Sequence, residues 1–179
     1  TLLRAVPAIR ERIPNVRVIV AGRGPETDKL KSLAGELALG ESVQFIGGYN
    51  GEHLQRMFSA VDVYVSTSLS DAGIAASTAE AMACGVPAVI SNTGENDQWV
   101  RDGENGFLFA AGDHATLAKR VVELLGDHAV RAKLGQAGRG TVIENNSYRR
   151  EMGKMLKLYQ DVTGLTHAPP ADAAELRRS

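Results

Sequence analysis

Residues 61–91 read VDVYVSTSLSDAGIAASTAEAMACGVPAVIS, and their pattern is the clearest indication of the fold. A β-branched run comes first, a loop of small residues follows, then an alanine-rich helical run, and the apolar run PAVIS closes the stretch. A strand, a helix and a second strand joined by short loops form a β-α-β unit, in which the two strands are parallel. The stretch therefore predicts a parallel sheet covered by helices.

The same alternation continues on both sides of this stretch. VRVIVAG (16–22) predicts a buried strand, VQFIGG (43–48) a second strand, and GFLF (106–109) a short last strand, with helical patterns between and after them. We therefore predict an α/β fold, a Rossmann-like parallel sheet with helices on both faces, in one domain over residues 1–161. Residues 162–179 are expected to form a mobile tail.

Composition narrows the class of protein. The 179 residues are 44% hydrophobic and 23% charged, which is typical of a soluble globular domain. The net charge of −1 offers no basic surface for nucleic acid or an anionic membrane. We find no apolar run of about 18 residues and so predict no membrane span. The one cysteine, Cys84, favours a reducing, cytoplasmic compartment and is expected to be a core thiol of a helix.

Two glycine-rich loops follow predicted strands, AGRGPE (21–26) and SDAGIA (70–75). Ligands of open parallel sheets bind at the loops that follow the carboxyl ends of the strands. Small residues from Gly73 onward let a ligand approach backbone N–H groups that have no partner within the helix. Together with the helix dipole, these groups predict a phosphate site.

Glu80 lies about one turn further along the same helix, roughly 6 Å along its axis. A diphosphate on the loop would leave an attached ribose near Glu80, and a carboxylate is a good bidentate acceptor for two vicinal hydroxyls. The run Ser77-Thr78-Ala79-Glu80 also fits a capping box, in which Glu80 only closes the helix start. Both interpretations stay open here. Gly85 is expected to end the helix.

Other candidates carry weaker signals. Arg23, between Gly22 and Gly24, could meet a phosphate, although an ordinary turn explains the same residues. Asp71 could contact sugar hydroxyls or cap a turn. His53 and His114 each stand without a second metal ligand at a suitable spacing, so no metal site is predicted.

Taken together, VRVIVAGRGPE, VQFIGGYN, residues 61–91 and VRDGENGFLF resemble the C-terminal half of family 4-like (group 1) glycosyltransferases, in order and to about residue 150. The resemblance implies a GT-B architecture, two Rossmann-like domains facing a cleft. The C-terminal domain would bind a nucleotide sugar, such as a UDP-sugar. An N-terminal domain absent from this chain would bind the glycan, lipid or small-molecule acceptor.

The resemblance also implies the chemistry and its place. Sugar transfer would be retaining and metal-independent, with no cofactor beyond the nucleoside-diphosphate sugar that serves as donor substrate. It would serve glycan biosynthesis in the cytoplasm or at the inner face of the membrane.

The resemblance assigns roles to residues of this sequence. Glu80 would hold the ribose. The backbone amides that meet the phosphates would be those of Gly73, Ile74, Ala75 and Ala76. The turn beside the donor would comprise Gly22, Arg23, Gly24 and Pro25. The loop at the nucleobase would run from Gly47 and Gly48 to Asn50.

The sequence departs from the family pattern in two respects. The first acid of the family's E-x7-E motif is expected at residue 72, where this chain has Ala72, and Asp71 stands one place earlier. We predict that Asp71 takes the place of this acid and contacts the transferred sugar as a catalytic residue; otherwise that contact is missing. The family's basic pair for the diphosphate lies upstream of Thr1. These departures leave two alternatives, a nucleotide-binding regulatory module without transfer and, more weakly, a sugar-nucleotide epimerase.

Overall fold

The computed structural model describes residues 1–48, 51–70 and 73–164. Its strands occur in the predicted order and pair in parallel. They are β1 (Val18–Ala21), β2 (Val43–Gly47), β3 (Tyr64–Ser66), β4 (Ala88–Ser91) and β5 (Phe107–Phe109). β1 and β2 form a two-stranded sheet, and β3, β4 and β5 form a three-stranded sheet in that order. Along the chain, a helix lies between the two strands of each parallel pair, as the alternating pattern predicts.

The predicted helices are all present. They are α1 (Leu2–Arg12), α2 (Thr27–Glu36), α3 (Gly51–Ser59), α4 (Ala76–Ala83), α5 (Asn96–Trp99), α6 (His114–Gly126), α7 (His128–Asn145) and α8 (Tyr148–Thr163). A short 3₁₀ helix, Gly40–Ser42, precedes β2. None of the helices in the described part of the chain combines the length and apolar character that a bilayer crossing needs.

β4 is the strand around which the core is built, because it is buried along its whole length. Val89 packs in one cluster with Leu117 of α6, and its neighbour Ile90 packs in another with Met82 of α4. Since successive side chains of a strand point to opposite faces, the two clusters lie on the two sides of the sheet. The predicted Rossmann-like sheet with helices on both faces is confirmed.

β1 departs from the predicted buried strand. Ile19 is 43% exposed, and Val18 and Val20 are only half-buried. A cavity of about 600 Å³ lies between β1 and β3, and residues of both strands line it. The prediction of burial is wrong for β1 because nothing described in the structure packs along its edge on the β3 side.

The chain divides into two compact units, Thr1–Glu144 and Asn145–Ser179. The first contains all five strands of the described residues. In the second, α8 runs to Thr163 and ends at Gly164, whose φ of 66° is a left-handed helix cap. The predicted domain, 1–161, covers the first unit and most of α8, and its boundary stays a prediction.

Candidate functional site

The amino end of α4 presents free backbone donors to the loop that precedes it. Its N-cap is Ala75, with an extended backbone (φ −60°, ψ 139°) and no side-chain cap. The first N–H with a described backbone acceptor is that of Thr78, which donates to the Ala75 carbonyl at 3.0 Å. The N–H groups of Ala76 and Ser77 therefore lie at the positive end of the helix without a helical acceptor.

The capping-box interpretation of residues 77–80 is wrong. A capping box requires Ser77 as N-cap, but α4 begins one residue before it and the N-cap is Ala75. The Ser77 hydroxyl is instead 2.8 Å from the hydroxyl of Tyr64 on β3, and the buried Thr78 hydroxyl donates to the same Tyr64 oxygen at 3.4 Å. These contacts fasten the first turn of α4 to the sheet and leave Glu80 without a capping role.

Glu80 is the fifth residue of α4 and is half-buried. Ala76, four residues earlier on the same face of the helix, is exposed. Because Cα–Cβ bonds in a helix tilt toward the amino end, the Cα–Cβ bond of Glu80 is directed toward the turn that holds Ala76 and the free N–H groups. A carboxylate acceptor and a set of amide donors thus share one face at one end of one short helix.

The carboxyl end of α4 is fixed by a Schellman motif. Gly85, at φ 78°, donates its N–H to the Met82 carbonyl at 2.9 Å, and Val86 donates to the Ala81 carbonyl at 3.0 Å. The prediction that Gly85 ends this helix is confirmed. The prediction of a core thiol is wrong, because Cys84 is the C-cap residue and is exposed.

The loop after β1 contacts the end of β2 and the loop that follows it. The Gly22 N–H donates to the Gly47 carbonyl at 2.7 Å. Arg23 lies against the second loop, with Nε 3.4 Å from where a Cβ would stand on Gly47 and 3.6 Å from that position on Gly48. The structure therefore brings together four of the predicted residues on one side of the site.

The turn after β1 is largely satisfied by its own contacts. The Gly24 N–H donates to the Thr27 hydroxyl at 3.3 Å, and that hydroxyl donates to the Gly24 carbonyl at 2.7 Å. Pro25 is exposed and precedes Glu26, the N-cap of α2. The Gly22 and Gly24 amides are already paired, and the exposed Arg23 guanidinium is the charged group of this turn that could meet an anion.

Hydrogen bonds also join the loops after β3 and β4. The Ser68 carbonyl accepts from the Ser91 hydroxyl at 2.5 Å and from the Thr93 hydroxyl at 3.2 Å. Beyond these bonds, Glu95 Oε2 lies 4.0 Å from where a Cβ would stand on Gly73, whose φ is 79°. A second carboxylate therefore borders the predicted phosphate loop.

Sequence reasoning missed Glu95. The available signal was its position four residues after the last residue of β4, in a loop at the carboxyl end of the sheet, where ligands of such folds bind. No motif marks it, and the loop lengths do not show which carboxylate turns toward Gly73.

Several predicted positions lie outside the described residues. These are Asp71 and Ala72 in the predicted phosphate loop, and Tyr49 and Asn50 in the loop after β2. In the described ranges, no three His, Cys, Asp or Glu residues come together as ligands for a metal ion. The roles of Asp71, Glu80 and the glycine loops stay predictions.

Comparison with known proteins places this chain in a family. Residues 1–141 match the family described as "Glycosyl transferases group 1". The chain is 30% identical over 163 residues to the GDP-mannose-dependent alpha-(1-6)-phosphatidylinositol monomannoside mannosyltransferase of Mycolicibacterium smegmatis, covering 88% of this chain and 43% of that protein. The chain spans less than half the length of the first curated relatives it matches.

Solved structures agree on the fold. The chain superposes with a TM-score of 0.81 on sucrose-phosphate synthase from Thermosynechococcus elongatus, at 27% identity over 92% of this chain and 43% of that one. It superposes with a TM-score of 0.77 on Anabaena HepE in complex with UDP-glucose, at 23% identity over 87% of this chain and 44% of that one. The latter similarity shows the fold alone. The chain belongs to the group 1 glycosyltransferase family, whose structural neighbours have the GT-B architecture.

Proposed function

We propose that this chain is the donor-binding half of a retaining glycosyltransferase. The full protein would move a sugar from a nucleoside-diphosphate sugar to a glycan, lipid or small-molecule acceptor, in the cytoplasm or at the inner face of the membrane. The acceptor would be bound by an N-terminal domain that faces this one across the cleft. The family membership and the geometry of α4 support the proposal.

The observation that carries the proposal is the pairing of Glu80 with the uncapped start of α4. A diphosphate has negative charge and many acceptor oxygens, which match the open N–H groups of Ala76 and Ser77 at the positive helix end. The attached ribose has two vicinal hydroxyl donors, which match a half-buried carboxylate one turn further along. A nucleoside diphosphate presents these two groups in that order.

The same arrangement explains how the domain would assist catalysis. When the bond between the sugar carbon and the diphosphate oxygen breaks, the leaving oxygen gains negative charge. The α4 amides stabilise that charge without moving, because tertiary contacts such as the Ser77–Tyr64 hydroxyl pair fix the helix start. Arg23 would add a positive charge from the turn after β1. No metal ion enters this scheme.

The printed names of one relative and one structural neighbour bear on the donor. One is named for GDP-mannose dependence, and one neighbour was solved with UDP-glucose. Both donors share a ribose and a diphosphate, the groups that Glu80 and α4 would bind. The proposal therefore covers nucleoside-diphosphate sugars, and UDP-sugars are the first to test.

One observation favours a second candidate. Ala72 stands where the family resemblance places an acid, so a nucleotide-binding regulatory module without transfer remains the alternative. Both candidates predict nucleotide binding, and they differ in turnover.

The test is a transfer assay on the full-length protein. It is incubated with UDP-, GDP- and ADP-sugars and a panel of glycan, lipid and small-molecule acceptors, and the anomeric configuration of any product is read by NMR. We expect a glycoside with the anomeric configuration of the donor. An inverted product would contradict the retaining mechanism. Nucleotide binding without any product would support the regulatory alternative instead.

A further inference from the structure

Glu95 stands in a segment that is fastened to the sheet on both sides of this residue. Two residues before it, the Thr93 hydroxyl donates to the Ser68 carbonyl at 3.2 Å. The residue after it, Asn96, is buried and donates from Nδ2 to the Ser91 carbonyl, at the end of β4, at 2.9 Å. The backbone of Glu95 is therefore held in place at the carboxyl end of the sheet.

The carboxylate of Glu95 has no structural partner in the described part of the chain. Glu95 is the N-cap residue of α5, but its side chain accepts no hydrogen bond from that helix. It is exposed and takes part in none of the ion pairs that the described residues form. Its negative charge therefore acts undiminished on any ligand that is bound nearby.

Glu95 lies at the end of the site that is opposite to Glu80. Along the chain, Glu80 follows the open amides at the start of α4, whereas Gly73 precedes them. Glu95 Oε2 lies 4.0 Å from where a Cβ would stand on Gly73. A nucleoside-diphosphate sugar carries its ribose on one side of the diphosphate and its sugar on the other. With the ribose at Glu80 and the diphosphate at the amides, the sugar extends past Gly73 toward Glu95.

We propose that Glu95 selects the donor by charge: it disfavours nucleoside-diphosphate sugars whose transferred sugar carries a carboxylate, the uronic acids, and admits neutral sugars. Like charges at close range repel each other, and an unpaired charge placed against the wrong ligand is a common source of specificity. This inference rests on the proposed function and names the class of donor that the same site takes.

The repulsion has to act on the sugar and not on the diphosphate alone. Every donor carries the same diphosphate, so a repulsion between Glu95 and the phosphates would weaken all donors alike. Only a charge on the sugar changes the ratio of two affinities, and that ratio defines specificity. A comparison of two donors that differ in this one charge therefore isolates the effect.

Calorimetry on the full-length protein supplies this comparison. Kd is measured for UDP-glucose and UDP-glucuronic acid, which differ only by a carboxylate in place of a hydroxymethyl group, and for GDP-mannose and GDP-mannuronic acid in the same way. With the base that binds more tightly, the wild type should bind the neutral donor at least about 10-fold more tightly than the acidic donor. Glu95→Gln should lower this ratio at least about fivefold, through tighter binding of the acidic donor, because the amide carries no charge.

Asp97→Asn is the matched control, because it removes the same charge from the same short helix, two residues further along the chain. It should leave the ratio of the two Kd values within about twofold, since a more distant exposed charge is screened. Raising the salt from about 20 mM to about 500 mM should reduce the discrimination by the wild type and leave that of Glu95→Gln nearly unchanged.

Three results would count against the inference. An equal affinity of the wild type for both donors, an unchanged ratio in Glu95→Gln, or an equal change in Asp97→Asn would each overturn it and leave the proposed function intact. If the wild type binds none of the four nucleotide sugars, the proposed function is itself wrong, and the inference falls with it.

Discussion

The hydroxyl oxygens of Ser77 and Tyr64 lie 2.8 Å apart, so the first turn of α4 is fastened to β3 by a side-chain hydrogen bond. This contact gives Ser77 a partner across the fold in place of the local role that its sequence pattern predicts. The position of α4 therefore depends on Tyr64, and the carboxylate of Glu80 is not needed to cap the helix. Stability and binding can therefore be tested independently.

Double-mutant cycles should show that Ser77 is energetically coupled to Tyr64 and not to Glu80. Ser77→Ala and Tyr64→Phe should each cost about 1 kcal/mol of unfolding free energy, with a coupling of at least about 0.5 kcal/mol between them. Ser77→Ala and Glu80→Ala should be additive, because the two residues form no capping box. Chemical denaturation of the six proteins measures both couplings. A coupling between Ser77 and Glu80 as large as that between Ser77 and Tyr64 would contradict the assignment.

Two glycines of α7 should respond in opposite directions to alanine. A Cβ on Gly135 would overlap the Gly85 carbonyl oxygen, whereas a Cβ on Gly140 meets nothing within 4 Å. Gly135→Ala should therefore destabilise the protein by more than about 2 kcal/mol, since backbone must move. Gly140→Ala should stabilise it by about 0.5–1 kcal/mol through helix propensity. If both variants melt at the same temperature, the close approach of α7 to Gly85 is wrong.

The amino end of α6 should make stability depend on pH. Hydrogen bonds from Thr116, chiefly from its side chain and then from its backbone N–H, hold the pKa of Asp113 below its ordinary value. The charged cap is then fully effective above the unfolded pKa of about 3.9, and its contribution is lost as the pH falls through the lower folded pKa.

Melting temperatures of the wild type and Asp113→Ala, measured from about pH 7 to about pH 2, test this dependence. The wild type should melt a few degrees higher at neutral pH, and the difference should shrink in acid. Asp113→Asn is the control, because a neutral cap should not titrate. A difference that stays constant down to the lowest pH would contradict the charged cap.

Asp71 and Glu95 should differ in catalysis. From the sequence pattern we predict that Asp71 contacts the transferred sugar, so Asp71→Asn in the full-length enzyme should lower kcat far more than it weakens donor binding. Glu95→Gln, at the carboxylate beside Gly73, is the matched substitution and should leave kcat within a few fold. The opposite result, a loss with Glu95→Gln and none with Asp71→Asn, would transfer the role to Glu95.

Much of the fold could be predicted because each element has a local signal. β-branched or apolar residues bounded by glycine or proline predict strands at VRVIVAG, VQFIGG and PAVIS. The structure has a strand at each of these three runs. Gly85 was recognised as a helix end because the left-handed conformation it adopts favours glycine. These signals come from residues that are adjacent along the chain, so they can be recognised without knowing the fold.

The errors arose where a residue's partner is distant in sequence. Ser77 fits an S-x-x-E pattern, and only its contact with Tyr64, 13 residues away, shows that the helix starts earlier. Ile19 belongs to a β-branched run, yet its exposure depends on what occupies the far side of β1. Glu95 approaches Gly73 because the loops after β3 and β4 are bonded together, which no local pattern indicates.

The most direct test of the central claim measures the contact between Glu80 and the ribose hydroxyls. Calorimetry gives the Kd of UDP and of 2′,3′-dideoxy-UDP for the full-length wild type, for Glu80→Ala, and for Glu36→Ala as an exposed control outside the site. For the wild type and the control, removal of the hydroxyls should weaken binding about 10- to 100-fold, the value of hydrogen bonds to a charged group. For Glu80→Ala, the two ligands should bind equally, with affinity as weak as dideoxy-UDP has for the wild type. If the hydroxyls contribute as much without Glu80 as with it, Glu80 does not bind the ribose and the account of this site is wrong.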